Sequence, residues 1–597
     1  MANSTQGSPA ATVSKTTDAK PIERSGSLTS SDADMKSQTM PNDAAKPPEA
    51  NDEPEYPPTK ERIVVMIAIL LAIFLIALDR TIIATAIPKM TDEFHSLDDI
   101  GWYGSAFMLT TCCFQLLLGR VYTFYTPKYI FLIMIVVFEI GSAVCGAAPS
   151  SIAVIIGRAI QGIGAAGIMA GGIILMVNTI PLDVRPKWMG LFGATFGVAS
   201  VVGPLIGNSS SPDLLPVADS EQAVHSRRTR LGDGVFTSPV NLPIGGIVLA
   251  IIVFILKPTP PLQGGLTIRQ QVAKLDLLGE LCLLPSVICL LLALQWGGSS
   301  YRWNDPVEIA LFVLFAVLAI GFVLVQIFMP KTATLPGRVM NNQSILAGMF
   351  LTVCIGSAML SFTYFLPIWF QAIKGTSAVQ SGINTIPMVL ALVVGNIGSG
   401  QITGRIGYYT SQAYASVVIM PIGAGLITTF KPTTSSSAWI GYQVLFGVGV
   451  GLGMQQGNMA AQTVLARKDV PIGVSLMMLW QNLGGAVFIS VSQNIFNSHL
   501  VISLVKQNIG LNPEQILNTG ATSLRSAVPA DNLPALLIIY NSAVRQVFVL
   551  GTILSCLAVL GAAGLEWRSV KGKQGPGGGK VAPAPEKISE DVVSEKV

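Results

Sequence analysis

Fourteen apolar stretches, each close to the length of a bilayer crossing, constrain this chain more than any other feature. A helix needs about 20 mostly apolar residues to span the hydrocarbon core. The stretches lie near residues 63–83, 102–119, 128–148, 152–177, 188–207, 242–256, 277–296, 307–329, 344–366, 380–401, 412–430, 438–456, 471–495 and 539–563. Inside a bilayer no water is available to the backbone, so spans of this kind must be helical. The expected fold is all-α and polytopic, with about 14 transmembrane helices in a lipid bilayer. Composition agrees, with 51% hydrophobic and only 12% charged residues, about half the charged share of an average soluble domain.

Several function classes drop out. The net charge of +4 is small, and no basic patch interleaved with aromatics suggests nucleic acid. All seven cysteines fall inside the stretches, with no CxxC and no metal-ligand spacing, so they read as packing residues. The three histidines form no zinc or triad constellation, and no P-loop is present. Neither an enzyme nor a metal or other cofactor is expected. Residues 1–60 and 571–597 are polar, Pro- and Ser-containing segments that read as disordered tails. No cleavable signal precedes the first span, which would serve as an uncleaved anchor.

Orientation follows from the loop cations. With the N-terminus inside, the inner loops carry twelve: Arg120, Lys128, Arg185, Lys187, Lys257, Arg269, Lys274, Lys331, Arg338, Arg405, Arg467 and Lys468. The outer loops carry six: Lys89, Arg302, Lys374, Lys431, Lys506 and Arg525, setting aside 208–240. Both termini are therefore expected in the cytoplasm. GRVYTFYTPKY after the second stretch is echoed by GQITGRIGYY after the tenth. The echo suggests two six-helix halves, 61–256 and 336–570, with 257–335 supplying two inserted helices.

Ionisable groups in such spans are expensive and are functional candidates by default. Asp79 and Arg80 lie deep in the first span. They read either as a local ion pair near the outer interface, or as an Asp79 that orders the helix end or binds a proton. Glu139 is a candidate proton carrier or a hydrogen-bond partner of a neighbouring helix. Arg158, in GRAIQGIGAAG with Gln161, Gly162 and Gly164, stays charged and can position a carboxylate. The amides Gln455, Gln456, Asn458, Gln462, Gln481 and Asn482 suit an uncharged oxygenated ligand, or interhelical glue. Tyr364, Trp369, Met454, Met477 and Trp480 could line an adaptable cavity or simply pack. In GATFGVASVVGPLIG the small residues Gly193, Gly197, Ser200, Gly203 or Pro204, and Gly207 recur every three or four positions. That spacing makes a groove for close helix contact.

Together these motifs resemble the fourteen-span drug–proton antiporters of the major facilitator superfamily, and their fungal toxin-efflux branch in particular. LDRTIIATAIP, GRAIQGIGAAG, GPLIG and NLPIGG resemble the motifs of spans one, four, five and six. LLLALQWGGSSYRW, WIGYQVLFGVGVGLGMQQGNMAAQTVL and EWRSVK resemble the fungal branch more narrowly. The resemblance implies a monomeric major facilitator fold that exports a small, largely apolar metabolite, toxin or drug in exchange for protons. Arg158 would take the proton-coupling role, and Gly193–Gly207 the moving interface. The membrane would be the plasma membrane, or a vacuolar or vesicular one. Uptake of a siderophore or other nutrient is the alternative, and a non-transporting sensor a third reading.

Two departures stand out. The family's loop motif has Asp and Gly-Arg where this chain has Thr123 and Thr126-Pro127. After Gly207 the family continues with a short loop and a Trp-Arg-Trp segment, whereas this chain has a polar stretch containing HSRRTR. Codons allowed for Leu231–Ser238, read two bases later, give Trp-Arg-Trp-Cys-Phe-Tyr-Ile. The stretch 208–240 thus reads as a retained intron or frame error, or else as an outer loop with a glycosylation acceptor at Asn208.

Overall fold

Polar residues in the loops decide where each apolar stretch starts to coil. Ser150, Asp305, Asn342 and Ser377 each accept a hydrogen bond from a backbone N–H in the first turn that follows. Pro127 and Pro306 occupy first-turn positions where no donor is needed. The departures in the loop motif find a use here, since Thr126 and Pro127 are the cap and first residue of the third helix. Gly407, at φ +90°, closes the tenth in a left-handed turn that favours glycine.

The computed structural model describes residues 56–94, 100–209, 238–258, 270–271, 274–298, 301–330, 332–507, 516, 524–529 and 531–571. Most of both tails, which read as disordered, and most of the 208–240 stretch lie outside them; residues 56–60 and Lys571 are described, and Thr59 already opens the first helix. The helices, all within the unit Tyr56–Val597, are α1 (Thr59–Phe94), α2 (Ile100–Phe124), α3 (Pro127–Gly146), α4 (Ser151–Thr179), α5 (Arg185–Ser209), α6 (Ser238–Ile255), α7 (Leu277–Trp296) and α8 (Pro306–Phe328). They continue with α9 (Gln343–Ala372), α10 (Ala378–Ile406), α11 (Thr410–Ile427), α12 (Ser436–Gly453), α13 (Gln456–Val464), α14 (Val470–Gln507) and α15 (Leu533–Ala563), besides two single turns.

Apart from the short α13, these helices coincide with the fourteen apolar stretches. Twelve segments among the described residues are long and apolar enough to cross a membrane, one of them being α12 and α13 taken together. The other two positions belong to α5 and α6, whose described apolar part, Asn241–Ile255, is shorter. Several helices outrun their apolar stretch: α1 continues to Phe94 and α14 to Gln507. Asp79 therefore sits within a helix and does not order its end, because the turns after it stay coiled.

Packing sorts the helices. Within α1–α6, α4 lies against α1, α2 and α3, while α1 also packs on α5 and α6. Within α9–α15, α9 packs on α14 and α15, and α12 on α10 and α11. The two groups meet where α5 crosses α10 and where α2 crosses α14. The inserted α7 and α8 pair with one another, and α7 bridges α2 and α14. Burial follows this plan, from 83% of the α4 window to 6% for α8. Large apolar side chains such as Phe254, Phe328 and Ile152 stand fully outward, as a lipid-facing surface requires.

Candidate transport site

Three helices bring the ionisable candidates of the first group to one buried point. Asp79 of α1 and Arg158 of α4 are completely or almost completely buried and form a salt bridge. Gln161, one turn beyond Arg158, accepts from its Nη1 at 2.9 Å and donates its own Nε2 to Asp79 Oδ1 at 2.9 Å. Arg158 Nε donates to the Tyr103 carbonyl at 3.0 Å, and the guanidinium lies 4.6 Å from the centre of the Phe107 ring. Each charge thus has several partners, which a buried ion pair needs to offset desolvation. Arg80 is not the partner of Asp79; it lies over Phe107, 5.6 Å from the ring centre.

Glu139 of α3 lies beside the same cluster, against Gly245 of α6. It is buried, and neither carboxyl oxygen has a hydrogen-bond partner among the described residues. A Cβ added at Gly245 would fall 2.0 Å from its Oε1. With any larger residue at 245, the Glu139 carboxyl would have to move from this position. One residue in the cluster was not singled out from the sequence: Asn241, in NLPIGG, donates to Asp79 Oδ1 at 3.4 Å and to Ser142 Oγ at 3.3 Å. Its signal is an amide opening a very apolar helix, the same cost argument that flags Gln161.

The small residues of α4 are explained by contacts on different sides. A Cβ at Gly162 would strike Phe107 O and Thr110 of α2, and one at Gly164 would strike Phe138 of α3. In α5, Gly193 faces the Asn396 side chain and Gly197 faces Val393, both on α10, with added Cβ atoms falling within 2.4 Å. Gly203 instead faces Thr81 of α1, whose hydroxyl donates to Ala199 O at 3.2 Å. The groove therefore serves two partners in succession. Pro204, Gly207 and Asn208 are described only as part of the α5 backbone.

The amides divide. Gln455 and Gln456 line a small cavity with Pro186, Met189, Asn396 and Ser399, between α5 and α10. Gln456 donates to Ser399 Oγ at 2.7 Å, Asn458 to Gln455 Oε1 at 3.3 Å, and Gln462 to Met189 Sδ at 3.7 Å. One carbonyl oxygen each of Gln456, Asn458 and Gln462 is buried without a partner among the described residues, as are both amide atoms of Asn396. Gln481 and Asn482 are half-buried on α14, away from that cavity's lining. Tyr364 is exposed and within electrostatic reach of Arg80. Trp369 and Met477 are wholly buried, and the Trp369 indole donates to Asn541, so both are packing residues.

The close crossings gather at the end of the bundle that carries Arg120, Arg185, Arg405 and Arg467, here the basic end. A Cβ at Gly119 would meet Ser475 Oγ at 2.3 Å, and one at Gly400 would meet Pro186 O at 2.3 Å. Arg467 donates to Asn178 Oδ1 at 3.3 Å. At this end the two helix groups are shut against one another.

The Major Facilitator Superfamily family description matches residues 69–489. The chain belongs to this superfamily. It is 48% identical over 512 residues to the MFS-type efflux pump MFS1 of Arthroderma benhamiae, covering 86% of this chain and 92% of that one. It is 44% identical over 519 residues to the efflux pump aflT of Aspergillus parasiticus, covering 85% and 96%. Among solved structures, a bacterial homologue of the human lysosomal transporter Spinster superposes with a TM-score of 0.53 at 15% identity, covering 85% of this chain and 98% of that one. That likeness concerns the fold alone. As a member of the superfamily, the chain is a multi-pass membrane protein whose buried charge cluster lies within the helices of its first group.

Proposed function

We propose that this major facilitator exports small, largely apolar metabolites, toxins or drugs in exchange for protons. The observation that carries the reading is a fully partnered Asp79–Arg158 pair beside an unpartnered, buried Glu139. A buried carboxylate without donors is costly as an anion and acceptable as a neutral acid. Glu139 then carries the proton, Asp79 and Arg158 supply the fixed charges that feel its arrival, and Gln161 and Asn241 hold Asp79 in place. The naming of relatives as efflux pumps supports the direction.

In this reading residues 61–256 and 336–570 are two halves that rock about a central site, linked by 257–335. The basic end faces the cytoplasm together with both termini, the protein works as a monomer, and the plasma membrane is its place. Arg80 and Tyr364, within electrostatic reach of one another, and the amides Gln455, Gln456, Asn458, Gln462, Gln481 and Asn482 offer contacts to cargo.

The test uses the full chain in proteoliposomes with an apolar fluorescent dye as probe. Collapsing an imposed pH gradient is expected to abolish dye movement, and E139Q to uncouple dye movement from the gradient. Dye movement that persists without a gradient, or that runs only inward in cells, would overturn the reading.

A further inference from the structure

A second buried acid stands outside the charge cluster, in the inserted helix pair. Glu280 lies in the first turn of α7 and is almost wholly buried. Neither of its carboxyl oxygens has a hydrogen-bond partner among the described residues. Glu280 is buried while Leu278 and Leu281, about 160° and 100° away around the helix, are exposed, so the acid is turned from the lipid side toward the bundle, where α2 lies. Cys113 and Arg120 of α2 and Asp276 of its own helix cap lie within electrostatic reach.

The surrounding groups are unequally satisfied. Asp276 is saturated: it accepts from Gly279 N at 3.1 Å, from Gln326 Nε2 at 2.6 Å, and from Thr334 N and Oγ1 at 2.9 Å each. Arg120 Nη2 donates to the carbonyls of Lys274 at 2.6 Å and Thr332 at 2.9 Å, one on each side of the inserted pair. Its Nε, also buried, has no partner among the described residues. Farther out, Arg338 and Asp469 hold one another through two bonds of 2.9 and 2.7 Å and bear on Arg120 only through space. An unpartnered acid and an unpartnered cationic donor thus share one buried corner.

We propose that Glu280 is a second proton-binding site and that Arg120 is its partner in another arrangement of the inserted helices. With the proton on, the neutral acid is tolerated as found. When the proton leaves for water at the basic end, a buried anion remains, and only a cation with hydrogen bonds offsets its cost. Arg120 Nε is the free donor at hand, and reaching it requires α7 to shift against α2. Since α7 bridges α2 and α14, the shift is felt where the two helix groups close.

The test reads distance and not transport, so its outcome is separate from that of the export reading. Spin labels replace the exposed Leu278 of α7 and Tyr129 of α3 in full-length protein in which Cys282 and Cys556, the cysteines that are not buried, have been substituted. Tyr129 reports on the nearby end of α2, because only Tyr125 and Thr126 separate α2 from α3. Between acidic and alkaline buffer the label distance is expected to shift by about 1–2 Å, the scale of interfacial helix movements. The shift is expected to vanish in E280Q and in R120Q, and to persist in E139Q and in E280D, which keeps a titratable carboxyl. No shift in the parent protein, a shift surviving in E280Q or R120Q, or identical behaviour of E280Q and E280D would each overturn the proposal.

Discussion

Asp79 shows how much of a residue's role depends on what the sequence cannot place beside it. The chain puts Arg80 next to it, yet the bond goes to Arg158, 79 positions away. Successive residues on a helix point about 100° apart, so Arg80 cannot easily turn back to its neighbour, whereas α4 presents Arg158 and Gln161 on one face. Removing one partner leaves the other charge buried and bare. D79N is therefore expected to destabilise the protein by about 3–5 kcal/mol, read as thermal unfolding in detergent. The double variant D79N/R158Q, which removes both charges, should recover much of that loss. Equal damage from the single and double variants would show that the charges do not act as a pair.

At the scale of elements, the apolar pattern made the helices legible, and the small-residue spacing of α5 announced a close crossing. Neither could say with what. Gly193 and Gly197 meet α10 while Gly203 meets α1, because α5 leans across the boundary between helix groups. Asn241 and Asn396 carry the same signal of an amide in an apolar run, but its use, to Asp79 for one and to α5 for the other, shows only once the helix opposite is placed. The Gly193–Asn396 contact carries a direct expectation. G193A places a methyl group into the Asn396 amide, and if this crossing moves during transport as proposed, a mismatch of even about 1.4 kcal/mol there slows transport roughly tenfold. N396A opens the space and should restore G193A toward the parent rate in initial-rate dye assays. Failure of that rescue would place the role of Gly193 elsewhere.

Over the whole molecule, the end of the described chain returns to the bundle. Val570 N bonds to Gly407 O at 2.8 Å, Trp567 stacks on Tyr414 at 5.6 Å, and the buried Tyr409 hydroxyl donates to Glu566 O at 3.0 Å. This gives EWRSVK a place against the α10–α11 turn, the same turn that echoes the loop after α2. Burial pushes the Tyr409 hydroxyl from 10.0 up to about 12. A group whose value is raised on folding contributes stability below its unfolded value and loses it as pH rises through the folded one. Between pH 10.0 and about 12 the parent protein should therefore lose on the order of 2–3 kcal/mol, seen as a falling unfolding temperature. Y409F should lack that part of the decline, and a decline of the same size in Y409F would contradict it.

The near-complete exposure of α8 has a consequence of another kind. Only 6% of its window is buried, and the one extensive packing partner among the described helices is α7, so most of its surface answers to the lipid. Its 23 residues measure about 35 Å at 1.5 Å per residue, slightly more than a typical hydrocarbon core of about 30 Å. A helix held along only one side by a single neighbour can adjust its tilt to the thickness it meets. Through α7, any such adjustment reaches the crossing of α2 with α14, and the bilayer itself becomes a participant in how tightly that crossing is held.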